Sequence, residues 1–395
     1  MNRQQGYKFR ANPSPEQDIL LRQSIGCSRL VWNAILYENE IRYAEGDPLP
    51  IGLKSFGERL VILKEKHPFL KDVYSQPLQS TIMDLVKAYT NAFDPKLAAE
   101  MPEFKKKKNA QGIRFPQNFK IENKRVYLPK IGWIPFRCSA RTKKRAIEGR
   151  IKYVTVRLEA GLWYVSFNTE REVEEPVHEM MGEVVGGDLG INRWLALSDG
   201  SFFEGANAFK KYEDKLAALQ QKLAKQVYLS KNWQKTKKKI GHLHHKIANI
   251  RKDQIHKATS TISKNHAIVV KEDLRVVNMM ASASGTIEEP GKNVAQKKGL
   301  NRRIQDQGWG ETDRQLDYKL RWLGGKLLRV NPCNTSRMCN ECKHVSSENR
   351  QTQESFVCVK CGHAANADTN AALNILGRAG WARIACVTAG SKRAA

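Results

Sequence analysis

Residues 339–372 read CNECKHVSSENRQTQESFVCVKCGHAANADTNAA and contain two pairs of cysteines at one repeated spacing. Two residues separate Cys339 from Cys342 and Cys358 from Cys361, and fifteen residues lie between the pairs. Each pair can place two thiolates on one tight turn, and two such turns at this separation can complete a tetrahedral shell around Zn²⁺. Two disulfides or four unrelated buried thiols are disfavoured, because chance rarely repeats the spacing. The sequence therefore predicts one structural zinc ion.

An acidic residue, Asp368, follows the second cysteine pair at the start of an apolar helical pattern that ends at Gly377. An acid in this place can act as the N-cap of the helix. Two further acids suggest a different role for Asp368, as part of an acidic site, because Asp188 and Glu272 each end a predicted strand. Asp368 is therefore either a helix cap or the third member of an acidic site.

The composition of the chain points to a polyanionic partner. Its 395 residues carry 67 Lys or Arg against 40 Asp or Glu, with a formal charge of +27 and a pI near 9.8. An excess of this size favours nucleic acid over a membrane surface. We find no run of about eighteen apolar residues and no charged-then-apolar leader, and the four cysteines outside the zinc site are scattered. We expect a cytoplasmic protein of roughly two to three domains, with no membrane partner.

The first part of the chain combines a helical segment with short strands. An alternating strand pattern at residues 6–11 is followed by a capping box, Ser14 with Gln17, and by three helical patterns up to about residue 95. Short strands punctuated by Gly and Pro occupy residues 118–169. This order predicts a small β-barrel or sandwich into which the helical segment is inserted.

The second part begins with three short strands that form a meander at residues 184–203. In the long helical region that follows, fourteen Lys or Arg stand against three Asp or Glu over residues 209–257. Such an excess favours phosphate contact over a neutral solvated face, and a turn is expected at 230–232. Beyond the strand that ends at Glu272 we expect a flexible segment at 282–299, then a helix, a strand and the zinc module.

This succession suits a ribonuclease-H-like fold, so the whole chain is predicted to be a multi-domain α+β and α/β protein. In such a fold the first and fourth strands lie side by side and parallel, and acids near their carboxyl ends meet where open α/β sheets bind ligands. Asp188, Glu272 and Asp368 would then converge. Asp273 and Asp199 are the alternatives; strand alternation points Asp273 to the opposite face, and an Asp-Gly turn explains Asp199.

Three converging carboxylates repel one another, and divalent cations relieve the repulsion. Oxygen ligands suit Mg²⁺. Two such ions about 4 Å apart can activate a water and stabilise the leaving 3′ oxygen in phosphodiester hydrolysis. We expect Asp188 to bridge both ions, with Glu272 and Asp368 completing one site each.

At these residues the sequence resembles TnpB, the family of RNA-guided DNA endonucleases encoded by bacterial and archaeal insertion sequences and related to the type V CRISPR effectors. The resemblance covers nearly the whole chain and is carried by these segments: Gly26-Cys-Ser-Arg-Leu-Val-Trp-Asn33, Leu78-Gln79, Leu128-Pro-Lys-Ile-Gly-Trp133, Gly187-Asp188-Leu-Gly-Ile191, Glu272-Asp-Leu274, Asn334-Thr-Ser-Arg337 and Ala367-Asp368-Thr-Asn-Ala-Ala372. The last four are the specific ones. Asn366 stands where the family often has Glu or Asp, and Cys333 is an additional thiol; neither departure affects the three acids.

The resemblance implies a domain organisation in which two domains are interrupted by insertions. The implied domains are a wedge β-barrel at 1–12 and 96–175, a helical recognition lobe at 13–95, a RuvC nuclease domain at 176–332 and 364–380, a zinc-ribbon insertion that binds target nucleic acid at 333–363, and a flexible tail at 381–395.

The resemblance also implies partners and an activity. These are a guide RNA transcribed from the element's end, a short adjacent DNA motif read by the protein, and cleavage of double-stranded DNA at one site with two Mg²⁺. We expect one protein molecule per guide RNA. Three alternative hypotheses remain: an RNA-guided binding protein without cleavage, a transposase acting directly on DNA ends, and a compact type V effector. The length of the chain argues against the third.

Five further residues are candidate nucleic-acid contacts. Gln76 and Gln79 are candidates for reading the adjacent motif, since glutamine can bind adenine in the major groove. Arg337 is a candidate contact of the scissile strand. For all three, ordinary polar residues of a helix start or loop are an equally good explanation. His344 and His363, each two residues after a cysteine, are expected to be nucleic-acid contacts or plain surface; substitution of one for a cysteine ligand is the minor alternative.

Overall fold

The computed structural model describes residues 1–97, 99–107, 111–138, 147–286 and 288–380. Its chain divides into two compact units, Met1–Val173 and Glu174–Ala395. The predicted flexible tail at 381–395 lies outside the described residues. Across the described ranges, no helix is long and apolar enough to cross a membrane.

The first unit begins with a strand and a long helix whose start is fixed as predicted. The Gln17 N–H donates to Ser14 Oγ at 3.2 Å, and the Ser14 N–H donates to Gln17 Oε1 at 3.0 Å. This capping box satisfies donors that a helix start leaves free. The elements described in this unit are β1 (Asn2–Ala11), α1 (Pro15–Ala44), α2 (Leu53–Lys66), α3 (Ser75–Phe93), β2 (Gln111–Phe115), β3 (Lys120–Glu122), β4 (Arg125–Leu128), β5 (Gly132–Arg137), β6 (Arg150–Glu159) and β7 (Leu162–Glu172).

The seven strands form one antiparallel sheet in the order β2-β6-β7-β1-β5-β4-β3. β1 pairs with both β7 and β5, which confirms that the first strand belongs with the later ones. Within the described residues β2 and β3 are edge strands, so pairing does not close the predicted barrel. Helix α1 covers the core instead, because its Leu21 and Ile25 pack in one cluster with Phe9, Phe136 and Phe167.

The second unit contains the mixed sheet and the cysteine pairs. Its described elements are β8 (Val184–Asp188), β9 (Arg193–Leu197), β10 (Phe202–Glu204), α4 (Ala208–Ala224), α5 (Lys231–Asn265), β11 (Ile268–Glu272), α6 (Val276–Met279), α7 (Val294–Gln307), α8 (Trp309–Leu323), β12 (Lys326–Val330), β13 (Ser355–Val357), β14 (Ala364–Asn366) and α9 (Ala367–Arg378).

The five-stranded sheet has the order β10-β9-β8-β11-β12. β8 is antiparallel to β9 and parallel to β11, so the predicted pairing of the first and fourth strands is confirmed. Side-chain alternation separates the two faces of the sheet. Val185 and Val269 pack with α5 and α8, whereas Val184 and Val270 pack with α9. Because β8 and β11 run the same way, their carboxyl ends lie at one edge between these helical layers.

The segment predicted to be flexible, 282–299, is helical where it enters α7. That helix contains few apolar residues, so it gives no clear helical periodicity in the sequence. Side-chain bonds to the end of α6 support it: Lys297 Nζ donates to the Met279 carbonyl at 2.7 Å and Asn301 Nδ2 to the Met280 carbonyl at 2.8 Å. The flexible prediction is therefore wrong for the part that lies in α7.

Helix α9 approaches β8 closely at Gly186. A Cβ at this position would lie 2.2 Å from the carbonyl oxygen of Ala372 and 2.9 Å from Cβ of Leu376. Glycine, which has no Cβ, is the residue that permits such an approach of two backbones. The contact fixes the distance between the strand that ends at Asp188 and the helix that carries Asp368.

We expect Gly186→Ala to lower the free energy of unfolding by about 1–3 kcal/mol, because the added methyl must push α9 away from the sheet. Chemical denaturation followed by circular dichroism measures the change. Gly241→Ala is a matched control within α5, where a Cβ would meet nothing within 4 Å. That variant should be neutral or gain up to about 1 kcal/mol; equal losses in the two variants would contradict the packing argument.

Candidate functional site

Three acidic side chains from three elements lie at one edge of the five-stranded sheet. Asp188 is the last residue of β8 and Glu272 the last of β11. Lys271 is paired with Gly187, so the two acids are the next residues along adjacent parallel strands. Asp368 is the second residue of α9, which packs against β8, and both other acids act electrostatically on Asp188. The structure therefore brings together the three acids that the sequence singled out.

Asn366, and not Asp368, caps helix α9. Asn366 Oδ1 accepts hydrogen bonds from the backbone N–H groups of Asp368 at 3.1 Å and Thr369 at 3.3 Å. The N-cap interpretation of Asp368 is therefore wrong, and its carboxylate is left for other partners. Its place in the first turn is still favourable, since the helix dipole stabilises negative charge there.

The environment of Asp188 disfavours its charge. Burial, followed by repulsion from Glu272 and Asp368, raises the pKa of Asp188 to about 7, and the positive charge of Arg350 partly opposes the shift. Such perturbed groups cluster at functional sites. A divalent cation beside Asp188 would reverse the imbalance by favouring the ionised form.

The other two acids have contacts from the segment that carries the cysteines. Burial raises the pKa of Glu272, while a hydrogen bond from Thr335 Oγ1 to Glu272 Oε1 opposes the shift. Burial likewise raises the pKa of Asp368, and Arg350 opposes that shift. Arg350 Nη2 donates to Asp368 Oδ1 at 3.3 Å. The sequence predicted neither the contact of Thr335 with Glu272 nor that of Arg350 with Asp368, because no local pattern connects these residues to the acids.

The two alternative acids lie elsewhere, as the sequence predicted. Asp273 lines a cavity of about 480 Å³ together with Lys271 and Arg329, and the described lining includes neither of the two strand-end acids. Asp199 Oδ1 accepts hydrogen bonds from the backbone N–H and the hydroxyl of Ser201, at 2.8 and 2.7 Å. Asp199 therefore stabilises its own turn.

The donor set at the sheet edge fits hard divalent cations. Carboxylate oxygens suit Mg²⁺. Burial raises the pKa of all three carboxyls in spite of nearby positive charge, so a cation at this edge would favour their ionised forms. Among the described residues, only the four cysteines bring three or more ligand atoms within 4.8 Å of one another. The three acids are therefore not drawn together as tightly as the four cysteines are.

The four cysteines form a compact cluster that fits Zn²⁺. Their sulfur atoms lie within 4.8 Å of one another. Sγ of Cys339 is 3.8 Å from Sγ of Cys361, and Sγ of Cys342 is 3.5 Å from Sγ of Cys358. A tetrahedral zinc ion with Zn–S bonds of about 2.3 Å would separate its sulfurs by about 3.8 Å. These separations are too long for disulfides, so that alternative is wrong.

The two cysteine turns share one backbone geometry. The N–H of Cys339 donates to the carbonyl of His344 at 2.9 Å, and the N–H of Cys358 donates to the carbonyl of His363 at 2.9 Å. Both histidines therefore contribute backbone acceptors that close the turns. The expectation that neither side chain replaces a cysteine agrees with the four-sulfur cluster.

Two fully buried asparagines join α9 to the first cysteine turn. Asn370 Nδ2 donates to the Met338 carbonyl at 2.8 Å, and Asn370 Oδ1 accepts from the Asn340 N–H at 3.0 Å. Asn374 Nδ2 donates to the carbonyl of Thr335 at 3.0 Å. The sequence analysis missed these asparagines; their i, i+4 spacing on one helix face is the signal that could have found them.

The candidate DNA-reading residues occupy accessible positions. Gln76 and Gln79 lie in the first two turns of α3, half-buried and exposed respectively, and Arg337 is exposed before the first cysteine pair. Accessibility is necessary for a nucleic-acid contact and does not specify one. Their predicted roles stay predictions.

Helices α4 and α5 form a strongly basic hairpin. Residues 215–252 carry eleven Lys or Arg and no Asp or Glu. The turn between the two helices lies before the predicted position at 230–232, because α5 already begins at Lys231. Ser230 caps that helix, and its hydroxyl accepts from the Trp233 N–H at 3.2 Å. Near the tip, the rings of Tyr228 and Trp233 lie 4.9 Å apart, and Lys237 Nζ lies 4.7 Å from the Trp233 ring. Cationic and aromatic side chains together suit phosphates and unpaired bases.

Three family models match parts of the chain. A model described as "Probable transposase" matches residues 166–283, one described as "Cas12f1-like, TNB domain" matches residues 309–375, and one described as "Helix-turn-helix domain" matches residues 1–47. In the structure, residues 1–47 form β1 and one long helix, α1. This part of the chain is therefore not a helix-turn-helix.

Known proteins resemble the chain over nearly its full length. It is 46% identical over 391 residues to an Escherichia coli K12 protein named "Putative RNA-guided DNA endonuclease InsQ", covering 98% of this chain and 94% of that protein. A Streptomyces pristinaespiralis protein named "Putative RNA-guided DNA endonuclease" is 29% identical over 389 residues, covering 96% and 90%. The "Cryo-EM structure of the Cas12f1-sgRNA-target DNA complex" has a TM-score of 0.54 at 15% identity, covering 95% of this chain and 98% of that one; this likeness concerns the fold alone.

We expect Asp188→Asn to stabilise the zinc-loaded protein at pH 8 when no other divalent cation is present. Because the pKa of Asp188 rises from 3.8 to about 7 on folding, ionised Asp188 destabilises the folded state above pH 7 by about 2–4 kcal/mol. At pH 5 the folded carboxyl is protonated and the gain should be smaller. Denaturation at both pH values measures the effect, with Asp273→Asn as the control on the opposite face. A less stable Asp188→Asn protein at pH 8 would refute the electrostatic account.

We expect Cys342→Ser to lose most of its bound zinc and to unfold at a lower temperature, because three thiolates hold Zn²⁺ less tightly than four. Elemental analysis and thermal denaturation measure the two effects. Cys333→Ser is the matched control, since Cys333 is exposed and outside the cluster. Absence of zinc from the wild-type protein would remove the basis of this assignment.

Proposed function

Because the chain belongs to the TnpB family, the OrfB proteins of IS605-type elements, we propose that it is an RNA-guided DNA endonuclease of an insertion sequence. The observation that carries this proposal is the convergence of Asp188, Glu272 and Asp368 at the carboxyl ends of two parallel strands. The E. coli and Streptomyces relatives bear that activity in their names. A binding protein without cleavage is disfavoured, because all three acids are retained.

The two sheets support an assignment of the domains. The five-stranded sheet has the strand order of a ribonuclease-H-like fold and, with α9, would be the RuvC nuclease domain. The cysteine cluster would be a zinc ribbon inserted in it, and β14, which pairs with β13, would lead from the ribbon back into α9. The boundaries proposed are 1–12 and 96–175 for the wedge sheet, 13–95 for the recognition lobe, 176–332 and 364–380 for the nuclease domain, and 333–363 for the ribbon.

The chain's own residues divide the work at the acidic site. When bound, two Mg²⁺ would supply an activated water and stabilise charge on the leaving 3′ oxygen. The carboxylates of Asp188, Glu272 and Asp368 would hold these ions, and Asp188, which feels the charge of both other acids, would be the shared ligand. The ionisation of Asp188 would accompany cation binding, since its pKa is about 7. Arg350, which donates to Asp368, would lie beside the substrate phosphate.

The remaining charge of the protein would hold nucleic acid. The acid-free hairpin of residues 215–252 would contact the backbone of the guide RNA, and base pairing would carry the target sequence. Gln76 and Gln79 would read the adjacent DNA motif, and Arg337 would contact the scissile strand. We propose one protein molecule per RNA, acting on nucleoid DNA in the cytoplasm.

A transposase acting directly on DNA ends is the second candidate, because one matching family model is described as a transposase. It would use the same acids to join strands as well as to cut them. The two functions differ in one requirement, since direct action on DNA ends needs no RNA.

We expect the protein purified from cells carrying its native flanking DNA to retain one discrete RNA and to cut a matched plasmid beside one short motif in Mg²⁺. Asp188→Ala should abolish cutting, since the carboxylate that would serve both cations is lost. Guided DNA binding should be retained. Asp273→Ala, on the opposite face, should cut like the wild type.

Sequencing of the bound RNA, cleavage of a library with randomised flanks and a binding assay measure these outcomes. Joined products without any RNA requirement would favour the transposase. Cutting that ignores the guide sequence, or that survives Asp188→Ala, would refute the proposal.

A further inference from the structure

Thr335 lies where the cysteine module meets the acidic site. Its side chain is buried, with 3% of the residue exposed. The hydroxyl donates to Glu272 Oε1 and also lies 3.0 Å from the carbonyl oxygen of Pro332. One hydroxyl proton serves one acceptor at a time, and an ionised carboxylate is the stronger acceptor. Thr335 therefore restrains one oxygen of Glu272 and, with it, the rotation of the carboxylate plane.

The position of Thr335 is itself fixed from two sides. On one side, Asn374 Nδ2 donates to the Thr335 carbonyl at 3.0 Å and to the Met338 carbonyl at 2.6 Å. Asn374 is almost fully buried and belongs to α9, the helix that carries Asp368. On the other side, Cys339 follows within one turn and is fully buried in the sulfur cluster. The backbone from Cys339 back to Thr335, and the hydrogen bond from Thr335 to Glu272, thus connect the sulfur cluster to the acidic site.

A purely structural explanation of Thr335 would require only the contact with Pro332. It does not explain why the hydroxyl also reaches a carboxylate whose charge is disfavoured by burial. A donor aimed at an ionised carboxyl favours the charged form, which is the form that binds cations. Groups that hydrogen-bond a ligand carboxylate orient it, and their loss typically weakens metal binding.

We propose that Thr335 is a positioning residue of the nuclease site, which orients the Glu272 carboxylate for its cation and is held in place by the first cysteine turn and Asn374. This inference rests on the proposed function in assigning the cation to catalysis. It gives the zinc module a second role, because the ordering of its first turn then sets the cation affinity of the acidic site. Loss of the hydroxyl should weaken cation binding roughly 10- to 100-fold.

The test compares three variants of the full-length, zinc-loaded protein. Thr335→Val removes the hydroxyl at nearly constant volume, and Thr335→Ser keeps it. Thr312→Val is the matched control: Thr312 is fully buried in α8, and its hydroxyl donates to the Gly308 carbonyl at 3.2 Å. Binding of Mn²⁺ to the protein alone, followed by electron paramagnetic resonance of the free ion, reports affinity without any cleavage. The Mg²⁺ concentration for half-maximal cutting is then measured on the complex with guide RNA.

We expect Thr335→Val to require at least about 10-fold more Mn²⁺ and Mg²⁺, while Thr335→Ser and Thr312→Val behave like the wild type and all variants keep their zinc. In a Glu272→Ala background, Thr335→Val should cause no further loss, since the hydroxyl acts through that carboxylate.

Three results would overturn the inference: unchanged cation affinity in Thr335→Val, equal losses in the Val and Ser variants, or an additive loss in the double variant. Loss of zinc from Thr335→Val would also overturn it, because the hydroxyl would then support the turn and not the acid. If the Val variant binds Mn²⁺ weakly but even the wild type cuts no DNA, the proposed function fails and the positioning role stands.

Discussion

The crowding of three carboxylates in a half-buried cleft is the constraint on which the rest of the second unit depends. Burial and mutual repulsion raise the pKa of Asp188 to about 7, so the cluster opposes folding whenever it is ionised and no cation is bound. Rigid elements must therefore hold it together. Parallel pairing of β8 with β11 sets two acids side by side, and the approach of α9 at Gly186 brings in the third. Under the proposed function, binding of a cation would recover the stability that the ionised cluster costs.

The cysteine cluster and the acidic site are connected through helix α9. Only six residues separate Cys361, in the second cysteine turn, from Asp368, in the first turn of α9. Asn370 and Asn374 then bond the first cysteine turn back onto that helix. A metal ion that orders both turns therefore orders the start of α9 as well, because the turns and the helix share buried hydrogen bonds. The cysteines stabilise the position of an acid, in addition to any surface they present.

The parts of this architecture that could be predicted are those with a local or periodic signal. Cysteine spacing, the capping box at Ser14 and the strand-end positions of Asp188 and Glu272 each follow from a few neighbouring residues. The contacts that could not be predicted join distant segments through single polar atoms. Thr335 reaches Glu272 across 63 positions and Asn374 reaches back across 39, and neither bond leaves a period in the sequence. The helix α7 was missed for a related reason, since tertiary bonds and not an apolar stripe support it.

The net positive charge of the chain bears on how the carboxylates of the acidic site are paired. In a chain of formal charge +27, exposed carboxylates are readily paired by flexible lysines and arginines. Among the described residues, neither Asp188 nor Glu272 takes part in an ion pair, and Asp368 is paired with Arg350 at 3.3 Å. At this edge of the sheet Arg350 reaches Asp368, and the neutral hydroxyl of Thr335 donates to Glu272. Under the proposed function, Asp188 and Glu272 would therefore remain available to cations in a protein whose net positive charge attracts polyanions.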